Sequence, residues 1–387
     1  MIAFVAFLLS AGQAAPPPVV RTPSTPPPPI VTVHNDRENA PNLAVFRPGE
    51  ARCGGAVQRA VHLEQPRPTA VPFPPGVPQS PVSIRFRLDS TGRPLGLTLV
   101  PPGPPGLDAT DLLPALAVSR FAPGTERGDC EIVVDVEILP VSDAPPPVLH
   151  QYLVLGANRS PWAASAARAA FERTIPAASD CFRPSPNVRL RAYPAFETIP
   201  QAPGTTSYAA LAFDIDAEGR PVNARVTDSS GNRELDRQSL EALSQSRFQP
   251  GARRGCTYPY WRRGDTNQNA PELPASAAFR QEDADCPEDR RLANLPPLQF
   301  PPGFERRNVE GWAIVRYDVA PWGATGNVRA LAAEPAAPFG EWAANIVRQA
   351  RQPESERGYR GCVARVRFVL PARREDAEDE GLHVIVH

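Results

Sequence analysis

The sequence predicts an α+β protein of three tandem small modules, each an antiparallel β-sheet with one packed helix in the order β-β-α-β. Three observations lead to this prediction: regularly spaced cysteines, a strand and helix pattern that recurs between them, and abundant proline. The chain has 50 prolines in 387 residues. This excludes a mostly helical protein, because proline lacks the backbone donor and clashes inside a helix. The hydrophobic fraction of 42% is still sufficient for folded cores.

The six cysteines set the period of the repeat. Taken in order as pairs, they are 77, 75 and 76 residues apart, and no pair has the CxxC spacing of zinc or thioredoxin-like sites. Six cysteines can pair in many ways, but the repeat selects one disulfide per module, formed in an oxidising compartment. The predicted disulfide residues are Cys53, Cys130, Cys181, Cys256, Cys286 and Cys362.

The N-terminus predicts export. Residues 2–9 are apolar and small residues follow them, a pattern typical of a secretory signal peptide, which we assign to residues 1–14. The alternative is an uncleaved membrane anchor, although spanning a bilayer takes roughly 20 apolar residues. Residues 15–48 are rich in proline and predict an extended linker.

The first module is assigned to residues 49–141. Residues 82–88 alternate strictly between apolar and polar side chains, as a half-buried strand does. An Asp- and Gly-containing turn then leads into a second strand at 95–100. Asp111 is the expected N-cap of the helix, and a last strand follows Cys130.

The second module is assigned to residues 178–264, after a connecting segment at 142–177. In that segment, residues 149–155 have the composition of a further strand and residues 162–171 predict a helix. Pro259 marks the last strand of the second module as an edge strand, because proline cannot donate to a ladder. The expected elements of this module are strands at 209–215 and 222–227, a helix at 234–246 and a last strand that begins at Cys256.

The third module is assigned to residues 284–371, after a linker at 265–283. Its helix is predicted from apolar residues at helical spacing, namely Phe339, Trp342 and Ile346. Its expected strands lie at 313–319, 327–332 and 364–370. The charged tail at 372–387 is expected to fray.

Several pieces of the second module occur together in one known family. They are Tyr193-Pro194, the strand at 209–215, the hairpin Asp216-Ala-Glu-Gly-Arg-Pro-Val222, Asp228-Ser-Ser-Gly231 and Arg247-Phe-Gln-Pro250. In this combination the module resembles the C-terminal domain of the TonB energy-transducer family. The first module keeps part of the pattern and the third is the most diverged, so the middle copy is the clearest.

The resemblance implies a TonB C-terminal-domain-like fold and a non-enzymatic binding domain in the periplasm of a Gram-negative bacterium. In the family this domain couples the inner membrane to outer-membrane receptors by pairing a strand with a short receptor peptide, a binding mode that an exposed edge strand supports. The partners implied are envelope proteins or outer-membrane receptor peptides.

The residues themselves predict no catalytic, cofactor or metal site. The chain has no lysine, which excludes a P-loop lysine and Schiff-base chemistry, and the net charge of −1 implies no nucleic-acid partner. The five histidines are scattered, and Asp214 and Asp216 are interpreted as residues of a solvated strand that ends in a turn.

One patch of adjacent aromatic and cationic residues is expected to be exposed and is a candidate partner-binding site: Tyr260, Trp261, Arg262 and Arg263.

The sequence is therefore interpreted as a periplasmic binding or adaptor protein that engages envelope proteins by strand pairing, with a connection to TonB-dependent outer-membrane transport. One alternative is an energy transducer attached to the inner membrane. Another is an unrecognised periplasmic enzyme. The oligomeric state stays open.

Overall fold

The computed structural model describes residues 41–76, 79–100, 109–155, 162–182, 184–287, 292–297, 299–371 and 383–386. The predicted signal peptide at 1–14 lies outside the described residues, as does the linker up to residue 40. Within the described ranges, no helix combines the length and the apolar character that crossing a membrane requires.

The first sheet is antiparallel throughout, and its longest strand, β9, pairs with other strands along both edges. One edge pairs with β6, and the other pairs first with β2 and then with β1. The elements of this region are β1 (Asn42–Pro48), β2 (Arg52–Cys53), β3 (Ala56–Val57), β4 (Ala60–His62), β5 (Thr69–Val71), β6 (Val82–Leu88), β7 (Pro94–Val100), α1 (Leu112–Val118), β8 (Arg120–Phe121) and β9 (Arg127–Pro140).

Two helices follow, α2 (Pro146–Leu155) and α3 (Ala163–Thr174). The helix predicted at 162–171 is present as α3, but the strand suggested at 149–155 is wrong, because that stretch belongs to α2. A short apolar run has the same composition in a buried strand and in a buried helix, so periodicity cannot separate the two. Tyr152 of α2 is fully buried in a small core that also contains residues of β1 and α3.

The middle sheet has three strands in the order β12-β11-β14, all antiparallel. A separate two-stranded ladder joins β10 to β13. The elements of this region are β10 (Val188–Leu190), β11 (Thr206–Ile215), β12 (Pro221–Ser229), α4 (Arg233–Gln245), β13 (Arg247–Phe248) and β14 (Arg253–Arg263).

The C-terminal sheet has four strands in the order β16-β15-β17-β18. The prediction that the whole tail frays is wrong, because β18 lies within it and pairs antiparallel with β17. The elements of this region are α5 (Pro302–Arg306), β15 (Gly311–Val319), β16 (Thr325–Glu334), α6 (Ala337–Gln349), β17 (Tyr359–Val369) and β18 (His383–Val386).

In each of the three regions a hairpin is followed by a helix, and a last strand then pairs with the first strand of the hairpin. Each hairpin turn needs a glycine. Gly219 has a φ of +83°, and a Cβ there would lie 2.3 Å from the carbonyl oxygen of Phe248, where the chain leaves α4. Gly92 and Gly323 approach the exits of α1 and α6 in the same way. The disulfides are Cys53–Cys130, Cys181–Cys256 and Cys286–Cys362, the pairing that the spacing predicts.

The architecture is thus α+β with antiparallel sheets, but two of the sheets do not have separate cores. The first and C-terminal sheets share one hydrophobic core. Their hairpins also meet, because the backbone N–H of Leu97 donates to the carbonyl of Pro335 at 2.9 Å and Arg87 pairs with Glu334 at 2.9 Å. The middle sheet packs α4 over a core of its own.

Candidate functional site

The outer edge of β14 is the candidate site, because β11 is the only strand that pairs with β14 among the described residues. In this ladder Trp261 lies opposite Tyr208, and Pro259 lies opposite Ala210. Thr257, two residues before Pro259, lies opposite Ala212. The register is regular over this stretch, so the direction of each backbone group can be derived.

The backbone groups of Tyr208 point away from β14. Its N–H donates to Ser230 Oγ at 2.9 Å and its carbonyl accepts from the N–H of Ser230 at 3.0 Å. Residues facing each other in an antiparallel ladder either exchange both hydrogen bonds or none. Trp261 therefore directs its own N–H and C=O outward, away from β11.

The same alternation applies along the rest of the strand. Thr257 and Pro259 share the outward orientation of Trp261, and Pro259 offers only its carbonyl. This is the position at which a strand tolerates proline, since no donor is lost from the inner ladder. Two N–H groups and three carbonyls therefore line this edge between Thr257 and Trp261, and the described residues supply no hydrogen-bond partner for them.

The predicted patch of four side chains is divided between the two faces of the sheet. Tyr260 is only 3% exposed and its hydroxyl donates to the carbonyl of Ala192 at 3.1 Å. Arg262 is also buried, and donates to the carbonyls of Phe196 and Ile199. The expectation that Tyr260 is exposed is wrong, because alternate residues of a strand point to opposite faces.

The other two members of the patch lie on the opposite face. Trp261 is 44% exposed, and the guanidinium of Arg263 lies 5.4 Å from the centre of its ring. An exposed tryptophan beside a cation can pack against a bound chain at little entropic cost, since both groups are already held together.

An apolar cavity of about 180 Å³ opens beside the same strand. It lies between β14, α4 and the segment that leads into β10. Arg191 closes one side, with its guanidinium 4.4 Å above the ring of Tyr258 and a hydrogen bond of 2.7 Å to the tyrosine hydroxyl. The apolar lining includes Phe182, Val188, Phe213, Leu243, Phe248 and Tyr258. The sequence analysis did not predict this cavity, because its lining combines residues that are distant in the chain. The Cys181–Cys256 disulfide joins the segment before β10 to β14 at this point.

The equivalent edges of the other two sheets are covered by the chain itself. The disulfide cysteines give a common reference, and the stretch from Tyr260 to Arg263 corresponds to 134–137 in β9 and 366–369 in β17. In β9 this stretch pairs with β1, and in β17 it pairs with β18. Both covering strands are antiparallel to the strand that they cover.

The face of the middle sheet opposite α4 is held against α2. His150 Nδ1 lies 2.7 Å from Asp228 Oδ2, and the hydroxyl of Tyr208 donates to the same oxygen at 3.0 Å. Burial raises the pKa of Tyr208, and the charge of Asp228 raises it further. Sequence spacing gave no sign of this contact, since His150 and Asp228 are far apart in the chain.

The acidic residues near the hairpin have structural roles. The side-chain amide of Asn223 donates to Asp214 and lowers its pKa, and the N–H of Gly255 also donates to it at 2.8 Å. Asp216 accepts from the backbone N–H groups of Glu218 and Arg220 inside its own turn. Among the residues that the structure describes, no three His, Cys, Asp or Glu side chains are grouped so that they could hold a metal ion.

Comparison with known proteins bears on this same region. The family model described as Gram-negative bacterial TonB protein C-terminal matches residues 195–262, which include β11, β12, α4 and nearly all of β14. The match supports the resemblance inferred from the sequence. No curated protein matches the chain.

Proposed function

We propose that this chain is a non-enzymatic binding protein of the Gram-negative periplasm that holds an extended segment of an outer-membrane receptor against the edge of β14. The family match at residues 195–262 supports a TonB-like envelope protein connected with outer-membrane transport. One observation carries the choice of site: the outward backbone groups of Trp261 have no partner among the described residues, whereas the equivalent residues of β9 and β17 are paired with a covering strand.

Strand addition explains the arrangement of the site. Main-chain hydrogen bonds supply affinity in this binding mode, and pockets for alternate side chains supply specificity. The edge of β14 offers the hydrogen-bonding groups. The cavity lined by Phe182, Val188 and Tyr258 is adjacent and apolar, and its volume suits one side chain of the incoming strand.

We also propose that the three sheets are copies of one module. The common order of hairpin, helix and returning strand supports this, as do the disulfide in each copy and the turn glycines at 92, 219 and 323. In this proposal the first and third copies pair with each other and have their returning strands covered, and the middle copy is left to bind.

A proline variant tests the proposed edge. Trp261→Pro removes an outward N–H without affecting the ladder to β11, so the folded protein should persist while binding of a receptor-derived strand peptide is lost. Trp261→Ala is the matched control, because it removes the same ring and keeps the N–H. Isothermal titration should show at least a tenfold greater loss for Trp261→Pro, since each outward hydrogen bond contributes about 1 kcal/mol and the ring of proline also keeps the strand away. Equal losses in the two variants would place binding on the side chain.

A second candidate is an energy-transducing subunit attached to the inner membrane, and the family match favours it. Fractionation separates the two. A transducer stays with the inner membrane after osmotic shock, whereas the proposed binding protein is released with the periplasm and has lost residues 1–14.

A further inference from the structure

The cavity beside β14 differs from the equivalent space in the first sheet. It has a volume of about 180 Å³ and lies against Tyr258 and Tyr260. Counted from the disulfide cysteines, these two residues correspond to Ile132 and Val134 of β9. The cavity beside Ile132 and Val134 has a volume of only about 10 Å³, which is too small for more than one water molecule. The same place is therefore filled in the first sheet and open in the middle sheet.

Two side chains from outside the hairpin and the helix line what remains of this space in the first sheet. One is Leu63, from the segment that follows β4. The other is Pro48 of the covering strand β1, which lies opposite Val134 in the ladder. A strand that covers this edge thus also contributes a side chain to the space between the sheet and the helix.

The middle sheet lacks both contributions. The backbone N–H of Glu64 donates at 3.0 Å to the serine hydroxyl that follows α1, and the N–H of Ala192 donates at 3.1 Å to the serine hydroxyl that follows α4. Leu63 therefore corresponds to Arg191. The guanidinium of Arg191 lies 4.4 Å from the centre of the ring of Tyr258, so no leucine occupies this place. Among the described residues, no strand covers the edge either.

The walls of the cavity indicate an aromatic occupant. Of the described residues, five aromatic side chains line it: Phe182, Phe213, Phe248, Tyr258 and Tyr260. Aromatic rings attract one another most strongly in edge-to-face and offset arrangements, and the rings of Tyr258 and Tyr260 already meet edge to face at 4.9 Å. An apolar cavity of roughly 150 Å³ stays dry and holds a benzene ring. The size and the lining of this cavity therefore suit a phenyl ring.

The ladder indicates which residue of an incoming strand would supply the ring. Residues directly opposite each other in a ladder place their side chains on the same face of the sheet. Tyr260 is buried on the face of the cavity, whereas Trp261 lies on the other face. A residue opposite Tyr260, as Pro48 is opposite Val134, would present its side chain to the cavity. Its neighbour would lie opposite Trp261 and pair with the outward backbone groups there.

We propose that the cavity beside β14 binds an aromatic side chain of the incoming strand, carried by the residue that lies opposite Tyr260. This inference rests on the proposed strand pairing at β14. It adds a requirement for an aromatic residue at one position of the bound segment, which pairing of the main chain alone does not impose.

Peptides based on β18 test this requirement, because β18 covers the equivalent edge of the C-terminal sheet. Its Val386 lies opposite Val366, which corresponds to Tyr260. The peptides have the sequence His-Val-Ile-Xaa between pairs of serines, where Xaa is phenylalanine, leucine or alanine. In isothermal titration with the full chain, we expect the phenylalanine peptide to bind about tenfold more tightly than the alanine peptide, with the leucine peptide between them.

A cavity-filling variant tests whether the cavity is the source of this preference. Val188 lines the cavity and is 38% exposed, so a larger side chain can be accommodated there without disturbing the core. Val188→Trp should remove the advantage of the phenylalanine peptide and leave the alanine peptide bound. Val222→Trp is the matched control, because Val222 is 37% exposed on β12 and does not line the cavity. A phenylalanine advantage that survives Val188→Trp would overturn the inference.

The position of the bound ring can also be measured directly. Nuclear Overhauser contacts from the phenylalanine ring of the peptide to the methyl groups of Val188 and Leu243 are expected. Contacts to Trp261 alone would mean that the ring packs on the other face of the sheet, and the inference would be wrong. Equal affinities of the three peptides would also overturn it and leave strand pairing intact. Absence of binding by every peptide would instead refute the proposed function, and the inference with it.

Discussion

The outer edges of β9 and β14 occupy the same place in two similar sheets and have opposite surroundings. On β9, the seven residues of β1 pair along the edge and bury Leu43 and Phe46. On β14, the corresponding stretch has backbone groups without partners among the described residues. One arrangement thus uses the edge for stability, and in the proposed function the other edge binds a partner.

The remaining edges of the same sheets repeat this contrast. β7 of the first sheet meets the end of β16, and Leu97 is fully buried there. The corresponding residue of the middle sheet is Ala224 in β12, which is exposed and is followed by the exposed Arg225. A small residue beside a charged one offers little apolar surface to bury, so β12 is not suited to the kind of contact that β7 makes with β16.

Breaking the contact between the first and C-terminal sheets should have the largest effect. Buried Arg307 bridges Asp111 at 2.5 Å and Glu64 at 2.8 Å, and both carboxylates are also buried. Arg307→Leu leaves two buried negative charges without their cation, and should lower the free energy of unfolding by about 3–5 kcal/mol. Urea denaturation measures this loss.

Arg225→Leu is the control for that experiment, because Arg225 is exposed on β12 and its loss should change stability by no more than about 0.5 kcal/mol. If the two variants lost equal stability, the ion pair would not be what holds the first and C-terminal sheets together.

Asp111 also shows what the sequence alone could not predict, namely the partner of a buried charge. It precedes α1 and was expected to cap the helix, but it makes no side-chain cap and binds Arg307 instead. The partner is almost two hundred residues away, and no local pattern encodes such a pair. The strands at 82–88 and 209–215 were predictable for the opposite reason, since their alternation depends on neighbouring residues alone.

The candidate site was predictable in part. The predicted patch at 260–263 overlaps its end at Trp261, and the alternation of the strand would have placed Tyr260 and Arg262 on the opposite face. The open edge itself could not be predicted. Whether an edge is open depends on which distant segment covers it, and β1 is about ninety residues from the stretch of β9 that it pairs with.

A pair of truncations sharpens the comparison between the covered and the open edge. Phe46→Ala removes a side chain of β1, the strand that covers β9; this side chain is only 3% exposed, and its loss should cost about 3 kcal/mol. Trp261→Ala removes a larger side chain from β14 but should cost less than about 1 kcal/mol, since the ring is partly in water. Equal losses, measured by thermal or urea unfolding, would mean that the edge of β14 is as well covered as that of β9.

Lowering the pH should have the smallest of the expected effects. It should weaken the ion pair of Asp111 but not the edge of β14. Burial by itself would raise the pKa of Asp111, but the charge and hydrogen bonds of Arg307 outweigh burial and hold the pKa below its usual value of 3.8. A carboxyl whose pKa is lowered by folding stabilises the protein above its unfolded pKa, and this contribution is lost as pH falls through the folded pKa. The stability gap between wild type and Asp111→Asn should therefore be constant near neutral pH and should narrow below about pH 4. A gap that stayed constant in acid would mean that folding does not lower the pKa of Asp111. The edge of β14 offers backbone groups that do not titrate, so a strand peptide without titratable side chains should keep its affinity over the same pH range for as long as the middle sheet stays folded.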